Sequence, residues 1–392
     1  MTSLPRRHSP PAISRRRACA RFGAGLALGW AGGAARPAAA ADGTGDERLA
    51  VRLAAIRAEQ KMPGLWGGRF HADGRRVFAC DGLRREGDPD PVRLDDTIHL
   101  GSCTKAMTAA LVARECSAGR LSFGATLADL FPGEIGAASP WAGATIEDLL
   151  RHESGAPANP DWHALHRAHP DDAVAARRGL VAWLAEQPRG PEGEYLYSNV
   201  GYALAGHAVE SIRGRPWESL VVEEVLAPLG IVGAGFGPVP PEGAAGPWGH
   251  VMRDGTATPV RVDNPPPLGP AGRVHLTIPE WAKFVLAFAR GGTVGRDAWG
   301  VADGDWARLL DPGAGSYAGG WGTHDRAWGG GRVLSHSGSN TTWFCVAWVA
   351  PKRDFCLLGA ANCAFPAAGK ACDGAVAACL DAALLPFGAD GG

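Results

Sequence analysis

A serine and a lysine lie three positions apart in the segment Ser102-Cys103-Thr104-Lys105. On a helix, this spacing places the hydroxyl and the amine on one face, within reach of each other. A serine hydroxyl becomes an effective nucleophile when a neighbouring base takes its proton, and a desolvated lysine can be that base. The spacing therefore predicts a serine nucleophile. The alternative is that the two residues merely share a helical turn, since about 0.2 such pairs are expected by chance in this composition.

Two further segments carry residue types that suit the same chemistry. In Tyr197-Ser198-Asn199, the phenol can act as a base and the amide can bind an acyl carbonyl, although the segment also fits a turn before a helix. In His336-Ser337-Gly338, a strand edge can hold a substrate by main-chain bonds, and the glycine permits close approach. By itself the segment His336-Ser337-Gly338 is weak evidence for a substrate site, because a histidine on a strand more commonly faces the solvent.

Helices and strands that can position these segments follow from the apolar spacing. Residues 46–62 are predicted to form an amphipathic helix, and residues 65–70 and 75–79 to form a hairpin around Asp73-Gly74. Residues 102–114 lack glycine and proline and predict a buried helix that starts at Ser102. Several helices are expected over residues 145–229, then a long irregular connection over 238–272 and a helix over 278–289.

The C-terminal part returns to a strand pattern. Residues 332–336, 341–350 and 354–362 predict a meander, and residues 370–385 a closing helix. This order implies one antiparallel sheet that is built from both ends of the chain and covered by the terminal helices. We therefore expect an α/β lobe over residues 42–125 and 276–392 and a mainly helical second lobe over residues 126–275, with the site at the seam between them.

In this order, the three segments resemble the signature of the family of serine β-lactamases, penicillin-binding D-alanyl-D-alanine carboxypeptidases and related esterases. That signature is Ser-x-x-Lys, Tyr-x-Asn, and then Lys-Thr-Gly or His-x-Gly. The resemblance is closest to the class C branch and covers nearly the whole chain after residue 41. Further similar segments are residues 62–65, 99–101, 145–155, 191–193 and 228–231, and Ala271-Gly272 with Thr277.

The resemblance implies a β-lactamase/transpeptidase-like fold and a role for each residue of the signature. Ser102 would be the acylated nucleophile, Lys105 and Tyr197 would share the proton transfers, and Asn199 would orient the substrate amide. The segment His336-Ser337-Gly338 would bind substrate, and the backbone N–H groups of Ser102 and Ser339 would form the oxyanion hole. No cofactor is required for this chemistry.

One departure from the family pattern concerns the substrate. His336 stands where efficient β-lactamases of this branch carry lysine, and His-x-Gly is more typical of the D-peptidases and esterases. A histidine titrates near 6.5, so it would bind a substrate carboxylate only when protonated. We therefore expect esters to be preferred at pH 7.5 and activity on carboxylate substrates to improve toward pH 6. Alternatively, His336 does not bind substrate and contributes only to the shape of the pocket.

Composition narrows the partners to a small molecule or a peptide. The formal net charge of −1 gives no basic surplus for phosphates, so a nucleic-acid partner is not expected. His163, His166 and His169 recur every third residue, but no carboxylate pattern completes a metal site, and no metal is predicted. The 14 tryptophans suggest buried packing rather than glycan stacking. The sequence leaves the oligomeric state open.

The first 41 residues predict a cleaved targeting peptide. Ser14-Arg15-Arg16-Arg17 precedes an apolar stretch over residues 22–35, which is too short to span a bilayer, and small residues then offer a cleavage site before Asp42. The consecutive arginines resemble a twin-arginine signal, with a general secretory signal as the alternative. We expect a periplasmic or secreted protein without a membrane span. Export would permit its cysteines to pair, but their spacing predicts no specific disulfide.

The sequence thus predicts a serine hydrolase that cleaves an ester or amide, with small esters or D-amino-acid peptides as leading substrates. A β-lactamase proper is the second enzymatic interpretation. A penicillin-recognising, cell-wall-binding protein without turnover is the non-enzymatic alternative. The complete set of Ser102, Lys105, Tyr197 and Asn199 argues against it, because a binding module does not need all four.

Overall fold

The computed structural model describes residues 44–385. The predicted targeting peptide of residues 1–41 lies outside the described residues. The strands are β1 Gly64–His71, β2 Arg76–Gly82, β3 Thr97–His99, β4 Gly235–Phe236, β5 Gly249–Arg253, β6 Thr256–Val260, β7 Val274–Thr277, β8 Tyr317–Ala318, β9 Trp321–Arg326, β10 Gly331–Ser339, β11 Phe344–Ala350 and β12 Phe355–Ala361.

The α-helices are α1 Gly45–Gln60, α2 Thr104–Ser117, α3 Leu127–Leu130, α4 Ile146–Arg151, α5 Trp162–Ala168, α6 Ala173–Ala185, α7 Asn199–Arg213, α8 Trp217–Val221, α9 Gly269–Gly272, α10 Ile278–Leu286, α11 Thr293–Trp299, α12 Asp303–Leu309 and α13 Ala367–Cys379. A π-helix over Val222–Leu226 continues α8. Short 3-10 helices lie at Gly101–Cys103, Ala227–Leu229, Pro266–Leu268, Arg290–Gly292 and Ala327–Gly329. Each helix of residues 44–385 is too short or too polar to cross a membrane.

The main sheet has seven antiparallel strands in the order β2-β1-β12-β11-β10-β9-β8. Strand β12 lies between β1 and β11, and all of its residues are buried because both faces of the sheet are covered. Its side chains alternate between two cores: Leu357 packs on the side of α1 and α13, and Leu358 packs on the side of α2 and α10. The predicted sheet, built from both chain ends and covered by the terminal helices, is confirmed.

Two local predictions were wrong. The connection over residues 238–272 contains the hairpin β5–β6, whose turn residues Asp254 and Gly255 both have positive φ angles of 48° and 78°. Asp-Gly is a strong hairpin signal, but the surrounding prolines and glycines concealed it. Strands β8 and β9 were missed because they lie at the sheet edge, where β9 is half exposed and lacks regular alternation. The proposed division into lobes at residues 125/126 and 275/276 stays a prediction.

Candidate active site

Ser102 lies in the 3-10 turn that precedes α2, and not at the first residue of the α-helix as predicted. The turn is pressed against strand β10, and two glycines make this approach possible. A Cβ atom on Gly101, which has a φ of +49°, would lie 2.3 Å from the backbone nitrogen of Ser339. A Cβ atom on Gly338 would lie 1.9 Å from the carbonyl oxygen of Leu100. Side chains at these positions would push the strand away from Ser102.

Lys105 is completely buried and its Nζ contacts three oxygens. These are Ser102 Oγ at 3.1 Å, Asn199 Oδ1 at 2.7 Å and the carbonyl oxygen of Ala271 at 2.7 Å. The amide and carbonyl oxygens only accept hydrogen bonds, so they take two N–H groups of the amine. The serine hydroxyl lies within hydrogen-bond distance of the same amine. The lone pair of a neutral amine can accept its proton, and the geometry therefore suits proton transfer from Ser102 to Lys105.

Tyr197 and Asn199 reach this lysine from the start of α7. Ser198 caps the helix, since its Oγ accepts a hydrogen bond from the Gly201 N–H at 3.1 Å. The half-buried Tyr197 ring has its centroid 4.9 Å from Lys105 Nζ. Asn199 uses its Oδ1 on the lysine and donates from Nδ2 to Asn159 Oδ1 at 2.8 Å, which fixes the orientation of the amide. The two residues of the second motif are therefore brought together with Lys105.

Strand β10 forms the opposite wall. His336 and Gly338 point into the protein, whereas Ser337 and Ser339 are exposed, as expected for alternating residues of a strand. Strand β9 pairs with β10 only as far as Ser335, so the edge of β10 beyond this residue extends past its neighbour. The contact of Gly101 with the Ser339 backbone places this part of the strand beside Ser102. The roles in substrate and oxyanion binding stay predictions.

The environment of His336 differs from the one expected. Its side chain is buried, with Nε2 3.0 Å from the Tyr317 hydroxyl and Nδ1 4.0 Å from Cys103 Sγ. Burial, together with the nearby charge of Lys105, lowers the pKa of His336 to about 3. The expected gain of charge between pH 7.5 and 6 is therefore wrong. His336 stays neutral over this range, because protonation would place a second cation in a desolvated site.

Four groups that contact the predicted residues had been given no role from the sequence. They are the side chains of His152, Asn159 and Tyr317, and the carbonyl oxygen of Ala271. A main-chain acceptor has no signature in the sequence. The chain has four tyrosines, and the rings of all four lie within 6 Å of the His152 ring: Tyr195, Tyr197, Tyr202 and Tyr317. Their clustering around His152 could not be seen without the fold.

A buried polar cluster lies behind the 3-10 turn that carries Ser102. His99 Nδ1 accepts a hydrogen bond from the Gly101 N–H at 3.0 Å, and His99 Nε2 lies 2.7 Å from Asp263 Oδ1. The other oxygen of Asp263 binds Arg273 Nε at 2.8 Å. Burial alone would raise the pKa of Asp263, but His99 and Arg273 outweigh it and hold the pKa below its usual value. The carboxylate is therefore charged and fixes His99 behind the turn.

The remaining sequence candidates do not join the site. His163 and His166 lie on the short helix α5 and His169 follows it. Within the described part of the chain, no group of three or more histidines, cysteines and carboxylates is arranged to hold a metal ion. The cysteines of residues 44–385 are free thiols, and Cys103 Sγ and Cys345 Sγ lie 3.7 Å apart.

Comparison with known proteins decides the family. Residues 29–380 match the family model described as Beta-lactamase. The chain belongs to the Beta-lactamase family. Like its relatives in this family, it is an enzyme, a serine hydrolase of the penicillin-binding protein and β-lactamase type. The predicted resemblance is thus confirmed.

Relatives of this Beta-lactamase family member include a penicillin-binding protein and a D-alanyl-D-alanine carboxypeptidase by name. Penicillin-binding protein 4 of Amycolatopsis lactamdurans is 27% identical over 321 residues, which cover 76% of this chain and 81% of the relative. The D-alanyl-D-alanine-carboxypeptidase/endopeptidase AmpH of Escherichia coli K12 is 26% identical over 169 residues. That second match spans only 42% of this chain and 43% of AmpH.

The fold is shared with solved structures. The match to the crystal structure of SurE covers 88% of this chain and 77% of the SurE chain, with a TM-score of 0.71 and 23% sequence identity. SurE has also been crystallised with D-Leu. At this level of identity the likeness shows the fold, and the expected β-lactamase/transpeptidase-like architecture is confirmed.

Proposed function

We propose that this protein hydrolyses an ester or amide, either a small ester or a D-amino-acid peptide, through an acyl-enzyme on Ser102. One contact of Lys105 Nζ carries the proposal: the Ser102 hydroxyl lies 3.1 Å from this amine, which Asn199 Oδ1 and the carbonyl oxygen of Ala271 also hold in place. Any buried amine needs hydrogen-bond acceptors, so the observation that favours catalysis is that one of these partners is the hydroxyl of the Ser-x-x-Lys segment itself.

The proposed reaction has two steps. Ser102 Oγ attacks the substrate carbonyl carbon while its proton passes to Lys105 Nζ, and the carbonyl oxygen gains the negative charge. Backbone N–H groups of Ser102 and Ser339 stabilise this oxyanion. As the tetrahedral intermediate collapses, the leaving group takes a proton from the Lys105 and Tyr197 pair and departs. Water then attacks the Ser102 ester by the same proton route, which releases the acid and restores the hydroxyl.

Substrate preference follows from strand β10 and His336. The strand edge beyond Ser335 can bind the main chain of an extended peptide by hydrogen bonds. The neutral His336 does not provide a charge for a carboxylate next to a scissile ring, which disfavours β-lactams. AmpH is a D-alanyl-D-alanine carboxypeptidase by name and SurE has been crystallised with D-Leu, which supports D-amino-acid peptides.

Intact-mass spectrometry after exposure to a fluorophosphonate, a penicillin, a short-chain ester and a D-Ala-D-Ala peptide tests this proposal. We expect an adduct on the wild type that is absent from Ser102→Ala, together with turnover of the ester or the peptide. The exposed Ser122→Ala is the matched control and should react like the wild type. Efficient penicillin turnover would favour a β-lactamase, and a stable penicillin adduct without turnover of any substrate would favour a binding protein. Labelling of Ser102→Ala would disprove the assigned nucleophile.

We also propose that the protein is exported to the periplasm or secreted, with cleavage near Asp42. The arginine segment, the apolar stretch and the small residues before Asp42 support this proposal. N-terminal sequencing of protein from native cells should recover a start close to Asp42. Replacement of Arg15 and Arg16 by lysine should block export by a twin-arginine route. Recovery of Met1 or Thr2 would contradict the proposal.

A further inference from the structure

The loop that carries Tyr197 is held by the segment that follows helix α4. Main-chain carbonyls of residues 152–158 accept hydrogen bonds from the N–H groups of residues 190–199 at several points along the loop. These bonds run from Gly190 to Gly155, Gly193 to Glu153, Leu196 to His152 and Asn199 to Ala158, at 2.8–3.0 Å. The position of Tyr197 is therefore set by this segment and not by helix α7 alone.

His152 is the member of this segment that lies closest to Tyr197. Its carbonyl oxygen accepts the Leu196 N–H at 2.8 Å, and its Nδ1 accepts the Ser198 N–H at 3.1 Å. The main-chain N–H groups of the residues before and after Tyr197 are thus bound by one residue. The imidazole also packs on the Tyr197 ring, with the ring centroids 4.4 Å apart. Three contacts therefore restrain the phenol through its backbone and its ring.

The backbone of His152 makes this arrangement possible. His152 ends helix α4 in the left-handed conformation with a φ of 62°, and its N–H bonds to the last turn of the helix. This conformation turns both the carbonyl and the side chain toward the Tyr197 loop. Among non-glycine residues, asparagine, aspartate and histidine adopt this conformation more often than the others.

The charge state of His152 suits an acceptor. Burial, with smaller contributions from Lys105 and His336, lowers the pKa of His152 well below its usual value. The ring is therefore neutral at physiological pH. Because Nδ1 accepts the Ser198 N–H, the single ring proton lies on Nε2. Protonation of Nδ1 would break the bond to the Ser198 backbone.

We propose that His152 is a positioning residue that holds Tyr197 beside Lys105 by binding the main chain on both sides of the tyrosine and packing on its ring. This proposal rests on the proposed function, in which Tyr197 takes part in proton transfer. His152 does not itself exchange protons with substrate. Loss of the Nδ1 acceptor should therefore lower kcat with little change in KM, because substrate binding does not depend on the placement of the phenol.

A double-mutant cycle tests the proposal. His152→Phe keeps a ring but removes the Nδ1 acceptor, and we expect kcat for ester hydrolysis to fall by about 10- to 100-fold. In the background of Tyr197→Phe, the same change should cost less than about 3-fold, because the phenol that His152 positions is already absent. Equal losses in both backgrounds would overturn the proposal, as would a wild-type kcat in His152→Phe.

Two further variants separate positioning from stability. His152→Asn places an oxygen where Nδ1 lies and tolerates the left-handed backbone, so kcat should stay within about 5-fold of the wild type. If His152→Phe does not fold, a loss of more than about 30-fold in a folded His152→Asn would itself reject the backbone-binding role.

His71→Phe is the matched control, since His71 is also buried and packs on Phe355 at 5.4 Å, on the other side of the sheet core. It should keep the wild-type kcat. If Tyr197→Phe alone were fully active, the proposed function would fail, and not the role of His152.

Discussion

Lys105 and Arg177 are both completely buried basic side chains, but the oxygens around them differ in charge. Arg177 on α6 binds both carboxylate oxygens of Glu210 and both of Glu218, and it also donates to the carbonyl oxygen of Pro266. The three oxygens at 2.7–3.1 Å from Lys105 Nζ belong to a hydroxyl, an amide and a peptide carbonyl. Arg177 is therefore bound by negatively charged groups, whereas these three partners of Lys105 are neutral dipoles.

The difference teaches what each site requires of its cation. Burial alone would lower the pKa of Arg177, but Glu218 and Glu210 outweigh it and raise the pKa above its usual value. An arginine in such a site remains charged and fixes helices α6, α7 and α8. A base in catalysis must lose and regain a proton, so neutral oxygens are the more suitable surroundings. The choice of lysine over arginine at position 105 agrees with this requirement.

The largest expected effect comes from removing the amine. Lys105→Met should lower kcat/KM for ester hydrolysis by about 1000-fold or more, because no group is left to take the proton of Ser102. Lys105→Arg should be nearly as damaging although it keeps the charge, because a guanidinium does not accept a proton. Steady-state kinetics on purified variants measure both losses. Near wild-type rates in Lys105→Arg would reduce Lys105 to a structural role and remove the contrast with Arg177.

The reverse result is expected for the second cation. Arg177→Met should destabilise the protein by about 3–5 kcal/mol, because Glu210 is left buried without its main cationic partner. The rate per folded molecule should not change. Urea denaturation and active-site titration of the same preparation separate the two quantities. A loss of activity without a loss of stability would show that Arg177 also serves catalysis.

A smaller effect is expected from the neutral histidine of the site. The unfolded chain protonates His336 near 6.5, whereas the folded protein does so at about 3. As the pH falls below 6.5, the unfolded state gains a proton that the folded state does not, and the free energy of unfolding decreases. At pH 5 this loss is about 2 kcal/mol.

His336→Gln removes this titration and keeps a polar group that can reach Tyr317. Between pH 7.5 and pH 5, the free energy of unfolding should therefore fall by about 2 kcal/mol more for the wild type than for His336→Gln. Urea denaturation at the two pH values measures this change. Parallel curves for the two proteins would mean that His336 is already accessible to protons when folded.

The smallest effect on activity is expected from Asp263, which has a charged partner like Arg177 and lies close to Ser102 like Lys105. Asp263 forms an ion pair with Arg273, as in a structural site. It also contacts His99, which accepts a hydrogen bond from Gly101 in the turn that carries Ser102. Asp263→Asn keeps the shape and removes the charge, so kcat should fall by about 3- to 10-fold with KM unchanged. The exposed Asp325→Asn provides a control. An unaltered kcat would assign Asp263 to stability alone.

The contacts of the candidate site that depend on local sequence could be predicted, whereas the roles of the residues stay predictions. Ser102 and Lys105 are close because they share one helical turn, and Asn199 follows a capping serine at the start of a helix. The burial of His336 could not be predicted, since it results from Cys103 and Tyr317, which are distant in sequence. The expected protonation was therefore wrong although the residue itself was correctly placed on the strand.

The fold shows the same division between local and distant information. Helices α1 and α13 and strands β1, β2 and β10–β12 follow from apolar periodicity. The carbonyl of Ala271 reaches Lys105 because the chain that follows the β5–β6 hairpin returns across α2, where Thr108 Oγ1 also donates to the carbonyl of Pro270 at 2.7 Å. No side-chain pattern encodes such main-chain contacts, and a region predicted as irregular therefore contributes to the site.

The central place of β12 in the sheet has a consequence for how the protein is made. Strand β12 pairs with β1 and β11, so the two ends of the described chain must meet before the sheet is complete. Strands that are far apart in sequence pair slowly, because the chain loses the entropy of closing a long loop before the stabilising contacts form. A nascent chain that ends before residue 355 leaves edges of β1 and β11 without their native neighbour, and such edges promote aggregation. Strand β10, which lies beside Ser102, joins the sheet through β11, so it is connected to β1 through the sheet only after β12 has been synthesised.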